Sequence, residues 1–132
     1  MSAVTIVVGY VPRGEGMAAV QAGLAEARRR DTALHVVNAS SGDSYVDAGL
    51  AAPEQVEELR RVLADSGVEH TVEQSVGRRE PAEEILDAAS RLSAVLVVIG
   101  LRRRTPVGKL LMGSTAQRVL LQAGCPVLAV KA

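Results

Sequence analysis

Ala94-Val95-Leu96-Val97-Val98-Ile99-Gly100 is an unbroken apolar run closed by a glycine. A strand with one wet face alternates apolar and polar side chains. This one does not, so both of its faces meet core. A strand buried on both sides belongs to a parallel sheet covered by helices above and below. It is the most apolar segment of the chain and reads as a central strand.

Working outward, Val4-Thr5-Ile6-Val7-Val8 is a second such run, ending at Gly9. From Glu15 to Arg30, Met17, Val20, Leu24 and Ala27 recur at helical spacing, which predicts an amphipathic helix. Arg28, Arg29 and Arg30 close it, where cations suit the negative end of the helix dipole. Leu34–Val37 reads as a strand, 39–52 as a small-residue polar loop, and Glu54–Asp65 as a helix with Val56, Leu59 and Leu63 on one face. His70–Val76 alternates weakly and is placed at a sheet edge. Pro81 suits the first position of a third helix, with Glu83 and Glu84 in its first turn.

After Gly100 come Arg102, Arg103 and Arg104, a turn, Lys109, and then Gly113-Ser114. Ser114 and Gln117 have capping-box spacing, so Ser114 is expected to cap a fourth helix. Gly124 would end that helix, and Pro126–Val130 reads as the last strand. Strands thus alternate with amphipathic helices along one domain of 132 residues, without repeat or linker. The pattern is that of an α/β fold with a parallel sheet and helices on both faces. Right-handed crossovers leave few topologies. Ligands of such sheets sit at the carboxyl ends of the strands, where the strand order reverses. The loops from Gly9 to Gly14 and from Gly100 to Gly113 are the natural walls.

Composition narrows the function. Fifteen basic residues balance fifteen acidic ones, and there is no Phe or Trp. A neutral chain without Phe or Trp is not a general polyanion binder, and a nucleic-acid role, which is not expected, would need a local basic patch. Cys125 is the single cysteine, so neither an internal disulfide nor a cysteine metal site is open to one chain. No spacing suggests any other metal site. No charged leader precedes a long apolar stretch, and no run approaches a membrane span of about 20 residues. The reading is cytoplasmic. Asn38-Ala39-Ser40 matches a glycosylation sequon, which would be idle in such a chain.

Two loops carry whatever chemistry there is. Backbone N–H groups at a helix start, with cations nearby, are what a phosphate wants. Gly113, Ser114 and Thr115 offer the first; Arg102, Arg103, Arg104 and Lys109 offer the second. The same residues also serve as a cap, a turn and a solvated loop, and spacing alone does not choose. Lys109 is followed by Leu110, so this is not a Walker A loop. The earlier loop, Gly9 to Gly16, lacks dinucleotide spacing and reads as a strand-to-helix turn. A phosphoacceptor receiver needs acidic residues at strand ends, and none follows Val8. His35 and His70 lie within strands. No Ser, His and acid grouping emerges, so no catalytic residue is assigned.

At this point the residues carry a resemblance. The chain resembles the universal stress protein family over almost its whole length. The best match runs through Ala94–Gly100, Leu110-Leu111-Met112-Gly113-Ser114, Ala116–Leu120 and Cys125–Val130. Nucleotide-binding members carry Gly-x2-Gly-x9-Gly-(Ser/Thr). Gly100 and Gly113-Ser114 fall in register, and Arg103 stands at the middle glycine. Family members usually continue the first strand into an Asp-bearing turn, whereas here Gly9 leads to Tyr10-Val11-Pro12. The segment Val76–Pro81 resembles the family's Val-Gly-x-Pro loop with extra residues.

The resemblance implies a Rossmann-like five-stranded parallel sheet of order 3-2-1-4-5. It implies a non-catalytic stress-response regulator with an adenine-nucleotide site built from Val11, Val37, Gly100, Arg103, Gly113, Ser114 and Thr115. Arg103 and the missing Asp weaken the case for ATP, leaving AMP or cyclic AMP as the favoured candidates. The resemblance also implies a homodimer through the last strand, with Val127, Leu128, Ala129 and Val130 at the interface. The competing reading is a nucleotide-free protein-interaction module of the same fold, acting through dimerisation and partners. Weak ATP hydrolysis ranks last, since no base for water activation can be named.

Overall fold

A computed structural model describes residues 4–40, 50–77, 79–101 and 112–132. Nine elements alternate: β1 (Thr5–Gly9), α1 (Gly14–Arg30), β2 (Ala33–Ser40), α2 (Pro53–Ser66), β3 (His70–Val76), α3 (Pro81–Arg91), β4 (Leu96–Leu101), α4 (Ser114–Gln122) and β5 (Val127–Lys131). The strands form one sheet in the order β3-β2-β1-β4-β5. All four pairings are parallel. The order reverses between β1 and β4, which places the switch point there.

The alternation of the strands divides the core in two. Ile6, Val8, Leu34, Val36 and Val98 point to the α1/α2 side, where Leu24, Leu59 and Leu63 meet them. Val7, Val37, Val97 and Ile99 point to the α3/α4 side, against Ile85 and Val119. Each fully buried Leu or Ile contributes about 2 kcal/mol. Without Phe or Trp, the core is built mainly of Val, Leu, Ile and Ala, with Tyr10 on the α1/α2 side.

Three sequence expectations shift. β2 runs on through Ala39 and Ser40, which pair with Ser75 and Val76 of β3. Both are buried, so the chain leaves the sheet two residues later than their small polar character suggested. Residues 41–49 of the expected loop lie outside the described residues. Ser114 is not the cap of α4. Gly113 is, in extended backbone (φ −71, ψ 167), and no side chain caps the helix. α4 also stops before Gly124, at an extended Ala123 whose N–H reaches the Val119 carbonyl.

Candidate functional site

The carboxyl ends of β1 and β4 meet the first turn of α1. Backbone bonds hold the turn after β1 tightly. The Tyr10 N–H donates to the Val37 carbonyl at 2.9 Å, Arg13 N–H to Val11 at 2.7 Å, and Gly16 N–H to Arg13 at 3.0 Å. Two glycines allow α1 to come this close. A Cβ on Gly16 would sit 1.8 Å from the Val11 carbonyl oxygen, and one on Gly100 would sit 2.0 Å from the Glu15 carbonyl oxygen. The Glu15 side chain is buried beside that contact, and Arg13 Nε donates to its Oε2 at 3.1 Å.

The start of α4 is the opposite case. Among the described residues, nothing lies within 4 Å of a Cβ built on Gly113. Gly113 and Ser114 are exposed and Thr115 is half-buried. Among the described residues no side chain caps the helix, which leaves its first-turn N–H groups without an acceptor of the usual kind there. Such a helix start, unobstructed and uncapped, can accept an anion.

The expected nucleotide residues fall on two elements of the carboxyl end. Val11 and Gly100 share one corner, joined through the first turn of α1. Gly113, Ser114 and Thr115 form the open start of α4. The Val37 side chain is 1% exposed and lies in the α3/α4 core; its backbone carbonyl, not its side chain, reaches the Tyr10 turn. Arg103 lies outside the described residues. Of the expected interface residues, Leu128 is exposed, while Val127, Ala129 and Val130 are half-buried.

The structure adds residues the sequence did not single out. Asn38 lies in the buried stretch of β2, its side chain bonded to Tyr10, Ala51 and Gln74. A polar residue within a Val-rich strand was the available signal. That burial also removes its amide from any glycosylation of the folded chain. On the α3/α4 side, His35 Nε2 meets Glu73 at 2.9 Å, and its Nδ1 meets Thr71 Oγ1. This hydroxyl, imidazole and carboxylate have the members of a catalytic relay. Glu73 Oε1 is shared with Arg91 at 3.2 Å, however, and the grouping ties β3 to β2 and α3. Glu84, also buried, accepts from Ser75 and pairs with Arg79 at 2.7 Å. Arg118 of α4 reaches Glu83 of α3 at 3.2 Å.

The acidities of Tyr10 and Cys125 are displaced by burial. Burial, with the Glu58 carboxylate adding to it, raises the Tyr10 hydroxyl above its ordinary value. Burial likewise pushes the Cys125 thiol up, which makes it a poorer nucleophile at neutral pH. Among the described residues, no three His, Cys, Asp or Glu side chains gather as metal ligands. No described helix is long and apolar enough to cross a membrane.

Comparison with known proteins places this geometry. The family model described as the universal stress protein family matches residues 4–131. A universal stress protein of Mycolicibacterium smegmatis is 52% identical over 126 residues, spanning 96% of each chain. The solved universal stress protein from Archaeoglobus fulgidus is similar with a TM-score of 0.74 at 29% identity, covering 97% of this chain and 98% of that one. A universal stress protein from the same organism, solved in complex with dAMP, matches with a TM-score of 0.70 at 25% identity, covering 99% of this chain and 100% of that one. The matched length, the identity and the structural likeness agree: the chain belongs to the universal stress protein family.

Proposed function

We propose that the chain is a non-catalytic regulator of the cytoplasm that holds an adenine nucleotide of low charge, and that it works as a homodimer joined through β5. The observation that carries the nucleotide reading is the open start of α4. Among the described residues, none approaches the Cβ side of Gly113 within 4 Å and no side chain caps the helix. A phosphate there would take the first-turn N–H groups and the Ser114 and Thr115 hydroxyls. The dAMP bound by the Archaeoglobus fulgidus relative supports an adenine nucleotide as the class. AMP and cyclic AMP are favoured over ATP. The turn after β1 has no Asp, and Arg103 stands where the family motif has glycine. Val11 and the Gly100 corner would form the wall facing the open helix start.

The test has two steps. Freshly purified protein is denatured and the released small molecules are identified by mass spectrometry. The emptied protein is then titrated by calorimetry with AMP, cyclic AMP and magnesium-ATP. The expected result is binding of AMP or cyclic AMP below millimolar concentration, with ATP weaker. A protein that is empty as purified and silent to all three overturns the nucleotide reading.

One observation favours the second reading in that event. Leu121 and Leu128 are 76% and 36% exposed on α4 and β5. They would then serve an interaction module that needs no nucleotide.

A further inference from the structure

The carboxamide of Asn38 is 1% exposed, and it faces three separate stretches of chain. Its Nδ2 donates to the Tyr10 carbonyl at 2.9 Å. Its Oδ1 accepts the Ala51 N–H at 2.8 Å and Gln74 Nε2–H at 3.0 Å. Gln74 Nε2 also donates to the Ala51 carbonyl at 3.0 Å. Tyr10 opens the turn after β1. Ala51 is where the chain re-enters ahead of α2, and Gln74 lies on β3. All three are at the carboxyl edge of the sheet, beside the crevice.

We propose that Asn38 is the positioning residue of this crevice, its buried carboxamide setting the Tyr10–Val11 wall at a fixed distance from Ala51 and β3. The proposal rests on the nucleotide reading above for its effect on affinity, but its geometric part stands without it. The chemistry requires an amide. Only an amide offers a donor to one carbonyl and an acceptor to two N–H groups from one planar group. An ionised Asp would keep the acceptor side and set a negative oxygen against the Tyr10 carbonyl. A protonated Asp would restore a donor there. Asn38 touches no ligand in this account; it acts through the Tyr10–Val11 backbone.

The decisive variant is Asn38→Asp, measured for AMP affinity across pH and for backbone amide resonances in the nucleotide-free state. At about pH 8 the affinity is expected to fall about tenfold, and to recover partly toward about pH 5 as the carboxyl protonates, while the unsubstituted protein varies less. Leu63→Ala is the stability control. It opens a cavity in the last turn of α2, at the other end of the sheet, and should leave affinity unchanged. If Asn38→Asp does not fold, Gln74→Leu removes only the exposed member and should weaken AMP a few-fold. Unchanged affinity together with unmoved Val11 and Ala51 resonances overturns the proposal. So does a loss of affinity that Leu63→Ala reproduces. If the unsubstituted protein binds no AMP, the nucleotide reading fails and the resonances decide. Shifts confined to Tyr10, Val11, Ala51 and their neighbours uphold the positioning role, and their absence ends it.

Discussion

Gly100 lies directly beneath the carbonyl of Glu15, with no room for a methyl group between them. The glycine that the family motif assigns to phosphate approach is occupied, on its Cβ side, by the protein's own helix. Gly100→Ala must push α1 away from β4, at a cost of about 3 kcal/mol. For a chain of this size that lowers Tm by roughly 10 °C. Gly113→Ala meets no neighbour within 4 Å among the described residues and replaces a tolerable cap residue, so it costs less than about 1 kcal/mol. Differential scanning calorimetry of the two variants checks the contrast. Equal losses would mean that the two glycines do the same job.

Alkaline pH should destabilise the protein in two steps. Tyr10 and Cys125 both hold their protons more tightly when folded than their ordinary values of 10.0 and 9.0 allow. As pH rises, the unfolded chain loses each proton first, so it binds fewer protons than the native state and stability falls. The decline begins at about pH 9 with Cys125 and steepens at about pH 10 with Tyr10; below that window neither contributes a slope. Urea titrations across this range should show Cys125→Ala removing the first step and Tyr10→Phe the second.

Thr32 should be improvable. Its Oγ1 is buried without a hydrogen-bond partner among the described residues, in the turn that carries the chain from Asp31 into β2. Thr32→Val keeps the shape and removes the unpaired hydroxyl. The expected gain is about 0.5–1 kcal/mol, or roughly 2–4 °C in Tm. A lower Tm would show that the hydroxyl is doing something the static geometry does not display.

The proposed dimer has a direct check. Leu128→Lys places a charge on the exposed apolar position of β5 while sparing the half-buried Val127 and Ala129. Light scattering at micromolar concentration should give a dimer mass for the parent and a monomer mass for the variant. A monomeric parent would rule out the β5 dimer.

How much of this was readable beforehand depends on the range of the forces involved. The strand from Ala94 onward announces a doubly covered sheet because the pattern is local. It also mislocates the start of β4, since Ala94 still bonds back to Ala89 of α3. Asp31 and Ser93, with positive φ of 56 and 51, sit at turns that no glycine flags. The site was less legible for a different reason. Asn38 gains its meaning from Tyr10, Ala51 and Gln74, which come together only when β1, β2 and β3 are side by side. Gly100 is likewise explained by Glu15, which is 85 positions away in the chain and yet in van der Waals contact. Val37 shows the same dependence on tertiary structure. Family position puts it at the ligand, and the pleat of β2 turns its side chain into the core.

The two margins of the sheet are unequal in kind. Along β3, Glu73 meets His35 and Arg91, Ser75 meets Glu84, and Arg79 reaches both Glu84 and Asp87. Along β5 the sequence is Val127-Leu128-Ala129-Val130. A strand that approached β3 would have to displace ion pairs, whereas one that approached β5 would meet aliphatic carbon. Two copies joined at β5 would therefore leave a β3 margin at each end, where Glu73 is already held by His35 and Arg91.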